Sequence, residues 1–296
     1  LLLLMAFASR SLRALLLIAA LLLGATVMSF RIASLEQSIL QDLYGDSVEI
    51  TAVVSTDAHA LAPRVMGTQF AKQSYSALIR VIEIKDGTHT YRLRSPARLI
   101  SSEGDFKEIL PGQIIRVQVL VQPSKEGRVA ALLINKGSFT VVSQPSRWAK
   151  SLDRIRDGLR AASGTGDSGA LIPGMVLGDT SLQSATFKNE MRRSGLTHLV
   201  AVSGANFAIV SSFVLWCMQF VIKRNKYRMI ATAIALTCFI ALVRPSPSVL
   251  RAAAMAAVLL SAHVMKRKTD SLPALGFAIA AVVLGDPWQS RDAGFA

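Results

Sequence analysis

Uncharged runs divide the chain. Residues Ala14–Phe30 form 17 consecutive positions without Asp, Glu, Lys or Arg, and 29 more lie between Arg193 and Lys223. Three shorter runs follow: 15 residues between Arg228 and Arg244, 14 between Arg251 and Lys266, and 15 between Asp270 and Asp286. A helix needs about 20 residues to cross a hydrocarbon core of ~30 Å. The second run meets that length, with Leu199–Ile222 at its centre, and the first is just long enough. The last three need flanking residues or snorkelling Arg and Lys ends. The pattern predicts a polytopic α-helical membrane protein. A secretory leader is the competing reading of Leu1–Phe30, with Arg10 and Arg13 as its basic segment, although the apolar run exceeds a usual leader core.

Between Val48 and Val142 the apolar period becomes two. Val48–Val54, Ser74–Ile84, Thr88–Arg94, Gly112–Gln122 and Arg128–Ile134 read as strands, and Gly137–Val142 as a short last one. Ile115, Val117, Val119 and Val121 alternate strictly, and Asp86-Gly87 and Glu126-Gly127 are hairpin-turn signals. Five or six strands in about 95 residues fit a small closed or nearly closed barrel. An OB-like five-stranded barrel, inserted between membrane helices, is the expectation; a sandwich is also compatible with the pattern.

The connecting stretch has its own signals. Trp148–Arg160 is predicted to be a short amphipathic helix with Leu152, Ile155 and Leu159 on one face. Ser163–Gly169 reads as a loop and carries neither a Walker A nor a dinucleotide fingerprint. Leu171–Asp179 is apolar, broken by Pro and Gly, and too short to span, so it is expected to lie on or dip into the interface. Ser184–Arg193 reads as a helix with Phe187 and Met191 on one side. The implied domains are 1–43, an N-terminal transmembrane region; 44–145, the β domain; 146–195, a linker with interfacial segments; and 196–296, a transmembrane domain.

Composition narrows the class. Of the 296 residues, 51% are hydrophobic and 18% charged, against about a quarter charged in an ordinary soluble domain. That excludes bulk disorder. The 33 Lys+Arg against 19 Asp+Glu give a net charge of +14, which favours membrane surfaces or nucleic acid as partners. Cys217 and Cys238 lie in apolar runs and exclude a disulfide framework or a four-thiolate metal site. His59, His89, His198 and His263 are scattered, so no zinc site can be assembled from them. No catalytic residue, metal or cofactor is expected.

Charge position predicts orientation. Lys223–Arg228 and Lys266–Lys268 are basic loops, placed in the cytoplasm with Arg10 and Arg13 by the positive-inside rule. Residues 31–197 and the Arg244–Ser248 loop then face outward. The outward β domain carries net +5 over Tyr44–Lys150. Arg80, Lys85, Arg92, Arg94 and Arg98 cluster around one hairpin, with Arg92 and Arg94 on one face by period two. Tyr75 and Tyr91 are near enough to stack on bases. A basic groove with aromatic platforms suits single-stranded DNA; the plainer reading is a solvated face.

The run Arg193-Ser-Gly-Leu-Thr-His-Leu-Val-Ala-Val-Ser-Gly-Ala-Asn206 enters a membrane helix with polar residues inside it. With Leu171–Asp179 before it, and Pro247–Ala252, Asp286-Pro287-Trp288 and Asp292–Phe295 after it, it resembles the competence domain of the ComEC family of DNA-uptake channels. The barrel matches that family in position and size only. The resemblance implies a channel in the cytoplasmic or inner membrane that passes one DNA strand during natural transformation. It also implies a separate DNA receptor and, since no nucleotide-binding motif is present, a separate cytoplasmic motor. Homo-oligomerisation stays open. The metallo-β-lactamase-like nuclease domain of many family members has no counterpart in these residues. Leu at position 1 and an apolar-looking end read as a piece of a longer chain.

Candidate channel residues are His198, Ser203, Gly204, Asn206, Arg244 and Arg251. Ser203 and Asn206 share a helical face (i, i+3) and either line a wet path or act as interhelical glue. His198 reads as a hydrogen-bonding cap at the outer interface, or less simply as a relay. Arg244 and Arg251 bracket Pro245-Ser246-Pro247, where a helix must break. They are either surface anchors or cationic contacts for passing phosphates.

Overall fold

The computed structural model describes residues 2–61, 65–66, 69–70, 72–87, 89–196, 204–244, 247–264 and 271–291. It divides into two compact units, Met28–Ser151 and Leu1–Val27 with Leu152–Ala296. The long helix α1, Leu2–Glu36, is followed by the single turn α2, Ile39–Asp42.

The first unit is a sheet that closes on itself. Strand β1 (Ser47–Val54) carries a short β2 (His59–Ala60) and a small β3–β4 hairpin (Val65–Met66, Gln69–Phe70) after it. Then come β5 (Tyr75–Asp86), β6 (His89–Ser101), β7 (Ile114–Gln122) and β8 (Ala131–Ser143). β1 pairs antiparallel with both β5 and β7; β5 pairs antiparallel with β6, β6 parallel with β8, and β8 antiparallel with β7. Each of these five long strands thus has two neighbours.

Alternation decides the inside. Val48, Ile50, Ala52 and Val54 of β1 are buried, as are Ile115, Val117, Val119 and Val121 of β7. Ile79, Val81, Ile84, Ala97, Leu99 and Leu133 complete the lining. Phe106, from the 3-10 turn Gly104–Glu108, is fully buried and meets the Phe139 ring edge-on at 5.8 Å. Leu40 of α2 is 0% exposed in the same core. Tyr44 fastens that entry by donating to the Ala130 carbonyl at 2.9 Å.

Three boundaries differ from the sequence expectation. The strands expected at 128–134 and 137–142 are one strand, β8, because Lys136–Ser138 stand opposite Gln118 alone as a bulge. β6 continues past Arg94 through Pro96. Pro96 keeps its place in the strand through its carbonyl, which accepts from Ala130 N–H at 2.9 Å. Leu93 and Arg94 stand opposite the single Ile82 of β5, so a bulge interrupts the period-two argument that joined Arg92 to Arg94.

In the second unit, α3 spans Arg147–Ala162 and α4 spans Gly166–Leu177. The loop expected at Ser163–Gly169 is therefore half helix. Gly169 is required there: a Cβ would lie 2.6 Å from the Gly164 carbonyl oxygen. The Pro- and Gly-broken segment is a continuous helical turn set with Pro173 inside it, ending at Gly178 in the left-handed region (φ 69°). α5, Ala185–Arg193, is capped by Ser184, whose hydroxyl accepts from Phe187 N–H at 3.0 Å.

Four apolar helices follow: α6 (Gly204–Val221), α7 (Asn225–Val243), α8 (Pro247–Val264) and α9 (Ser271–Gly285). Among the described residues, Ile18–Glu36 of α1 and Asn225–Val243 are long and apolar enough to cross a membrane; the apolar stretches of α6, α8 and α9 are shorter. α7 reaches its length by taking in Asn225–Arg228, as the flanking-residue argument required. α6 shows Ile209, Phe213, Trp216 and Phe220 on one outward face, each more than half exposed. A soluble monomer rarely leaves so contiguous an apolar stripe uncovered.

Candidate functional site

In the sheet unit, the predicted cations stand on the outer side of the β5–β6 hairpin. Inward positions alternate through Ala77, Ile79 and Val81 and through Ser95, Ala97 and Leu99, which turns Arg80, Arg94 and Arg98 outward, and Arg92 is exposed beyond the bulge. Arg80 lies opposite Pro96, and Lys85 opposite Thr90 near the turn. Arg80, Lys85 and Arg94 are exposed and make no ion pair among the described residues. Arg92 is 88% exposed and 3.9 Å from the Glu83 carboxylate, a contact worth little in water.

Arg98 has a different task. Its Nε and Nη2 both donate to Glu126 Oε2, at 3.0 and 2.8 Å, and its Nη1 donates to Ser76 Oγ at 2.9 Å. It braces the β5–β6 face against the turn before β8. Tyr91 and Tyr75 are partly buried against the core, and the Tyr91 ring stacks 6.3 Å from His89. The aromatic platform is therefore half covered by the sheet's own residues.

In the helical unit, His198 and Ser203 lie outside the described residues, as does the Asn206 side chain. Gly204 opens α6. Arg244 ends α7 with a positive φ of 69°, and its Nη2 donates to Asp153 of α3 at 3.1 Å. Arg251 lies in the first turns of α8 and lines a cavity of about 740 Å³ between α6, α7 and α8. Ser211, Ser212, Gln219 and Arg228 supply the rest of its polar wall; Leu215, Trp216, Leu236, Met255 and Leu259 are among the apolar residues.

Sequence reasoning missed an ion-pair cluster around Asp179. That carboxylate is 7% exposed. Arg160 donates to its Oδ2 from both Nε, at 2.8 Å, and Nη2. Arg156 Nη2 is 3.7 Å from the same oxygen, and its Nη1 donates to the Leu242 carbonyl at 2.9 Å. Ser181 N–H donates to Oδ1 at 3.0 Å. Burial alone would raise the Asp179 pKa, but the Ser181 hydrogen bonds and the Arg160 guanidinium outweigh it and hold the group below its ordinary range. The signal was present as Asp153, Arg156, Asp157 and Arg160 on an otherwise amphipathic helix, but charge on such a helix reads by default as solvated.

Residues 175–296 match the family model described as Competence protein. Over that span the chain is similar to the competence protein family. ComE operon protein 3 of Bacillus subtilis (strain 168) is 28% identical over 130 residues, covering 44% of this chain and 17% of that relative. The match thus reaches less than a fifth of the relative's length. The matched span contains Asp179, the cavity and both Arg244 and Arg251. Its folded unit is larger than the matched span, because α3 lies before residue 175 and holds Asp179, Leu242 and Arg244.

Proposed function

We propose that this chain acts in DNA uptake during natural transformation, as part of a membrane channel that passes a single strand inward. The observation that carries the reading is the competence-family match over residues 175–296, which includes the helices α6–α9 with exposed apolar side chains. The basic loops Lys223–Arg228 and Lys266–Lys268 then face the cytoplasm, and the sheet unit faces outward. Its pairing order, with β6 parallel to β8 and β1 joining β5 to β7, supports an OB-like barrel. Arg80, Lys85, Arg92 and Arg94 offer the phosphate contacts; Arg98 supports them.

The role is non-enzymatic, with single-stranded DNA and the bilayer as partners, and a receptor and an energy-coupling motor supplied by other proteins. The test is uptake of labelled DNA, with transformation frequency, in a competent host. Deleting the gene is expected to abolish both. Arg80, Lys85 and Arg94 changed together to Gln should reduce uptake at unchanged membrane abundance. Normal uptake after deletion overturns the proposal and favours a transporter or scaffold whose outward domain binds protein or lipid.

A further inference from the structure

The cavity between α6, α7 and α8 has the wrong lining for a polyanion path. Its middle is Leu215, Trp216, Leu236, Ala252, Met255, Ala256 and Leu259, and a wet conduit needs polar walls along its length. Its charged residues stand instead at the two ends, with the hydroxyls of Ser211 and Ser212 about 6–8 Å along α6 from Phe207 as the polar groups between them. The Phe207 and Phe239 rings are 6.0 Å apart, which sets α6 and α7 side by side at one level. Gln219 is then about 18 Å along α6 from Phe207, and Arg228 about 17 Å along α7 from Phe239, at 1.5 Å per residue. Gln219 and Arg228 therefore share one end. Arg251, in the first turns of α8, lies at the other.

The Gln219–Arg228 end has the chemistry of a membrane–water interface. Lys223, Arg224 and Lys226 are exposed in the connection and first turn beside it, and Tyr227 is 55% exposed, a residue type enriched at headgroup depth. The apolar slot above it is about as long as one leaflet is deep, roughly half of a ~30 Å hydrocarbon core. Its volume, about 740 Å³, falls among ordinary ligand sites of ~300–1,000 Å³.

We propose that this slot binds an acyl chain of an anionic phospholipid whose headgroup phosphate is held by Arg228 and Gln219, beside the Lys223–Lys226 cations. The inference rests on the membrane placement of α6–α8 proposed above and not on DNA passage. Zwitterionic lipid can fill the slot but gains less from four neighbouring cations, so the site discriminates by charge at one end and accepts chain at the other.

The test uses the full chain, extracted in mild detergent, stripped of lipid and re-supplied with phosphatidylglycerol or phosphatidylethanolamine. Retained lipid is counted by native mass spectrometry. Phosphatidylglycerol is expected to be retained in preference. Arg228→Gln should lower its retention about fivefold and lower that of phosphatidylethanolamine by less. Ala256→Phe, which fills the wall of the slot, should lower both, while Arg193→Gln, on exposed α5, should change neither. Equal retention of the two lipids, an Arg228→Gln variant that binds as wild type, or a second copy cross-linked into the slot with lipid excluded overturns the proposal. Resistance of the chain to carbonate extraction checks the membrane placement separately.

Discussion

The Asp153 carboxylate of α3 accepts a hydrogen bond from Arg244 Nη2 at 3.1 Å, across 91 residues of sequence. Asp153 is 13% exposed and Arg244 24%, so the pair is neither a surface contact nor fully desolvated. It explains why a residue with a side chain occupies φ 69°, ψ 142°, a conformation that ordinarily favours glycine. Asp153→Asn is expected to destabilise the helical unit by about 1–3 kcal/mol. Arg244→Gly should be destabilising in the wild type, yet neutral or stabilising in the Asp153→Asn background, because only the strain is then left to relieve. Thermal unfolding of the four variants in detergent measures the cycle, and additive effects would count against the coupling.

Asp179 makes the same unit acid-sensitive. Its pKa is lower folded than unfolded, so its contribution is fully present above the ordinary value of 3.8. The contribution is lost as pH falls from there through the folded-state value. Asp179→Asn should therefore lower stability at neutral pH and flatten the loss of stability below about pH 4. Melting temperature against pH for the two proteins provides the comparison; parallel curves would refute the assignment.

The plug of the closed sheet is testable by truncation. Leu40 is 0% exposed, and Leu40→Ala should cost about 2–5 kcal/mol, cavity included. Tyr44→Phe removes only the bond to Ala130 and should cost about 1 kcal/mol. Denaturant midpoints of the full chain rank the two.

The hairpin cations separate into braces and contacts. Arg98→Gln should cost about 0.5–1.5 kcal/mol, since its partner Glu126 is 46% exposed and partly screened. Arg94→Gln should leave stability within about 0.5 kcal/mol. With Arg80, Lys85 and Arg94 all changed to Gln, the log–log salt slope for single-stranded DNA binding should fall by about 2, at ~0.7 per phosphate. An unchanged slope would separate these residues from the DNA.

Much of the sheet was legible because period-two alternation is a local property: Ile115 to Val121 announce their buried side without reference to a partner strand. The bulges were not, since whether Lys136–Ser138 break a strand or bow out of it depends on what Gln118 does across the ladder. In the helices, hydropathy located α6–α9 but not the role of Arg244. Its partner Asp153 lies 91 residues earlier, beyond the reach of any spacing argument. Sequence alone left open how far the Tyr91 ring is covered by the core it packs against.

The docking of α3 also sets a schedule for biogenesis. Arg156 reaches its acceptor on Leu242, 86 residues later, and synthesis at ~5–20 residues per second delays that carbonyl by roughly 4–17 s. Throughout that interval the arginines and aspartates of α3 are finished while α7 is still incomplete. Arg160 finds Asp179 only 19 residues on, whereas Arg156 and Asp153 reach Leu242 and Arg244 only once α7 is complete, so α3 is tied first to its own neighbourhood and then to a helix made after the intervening apolar segment.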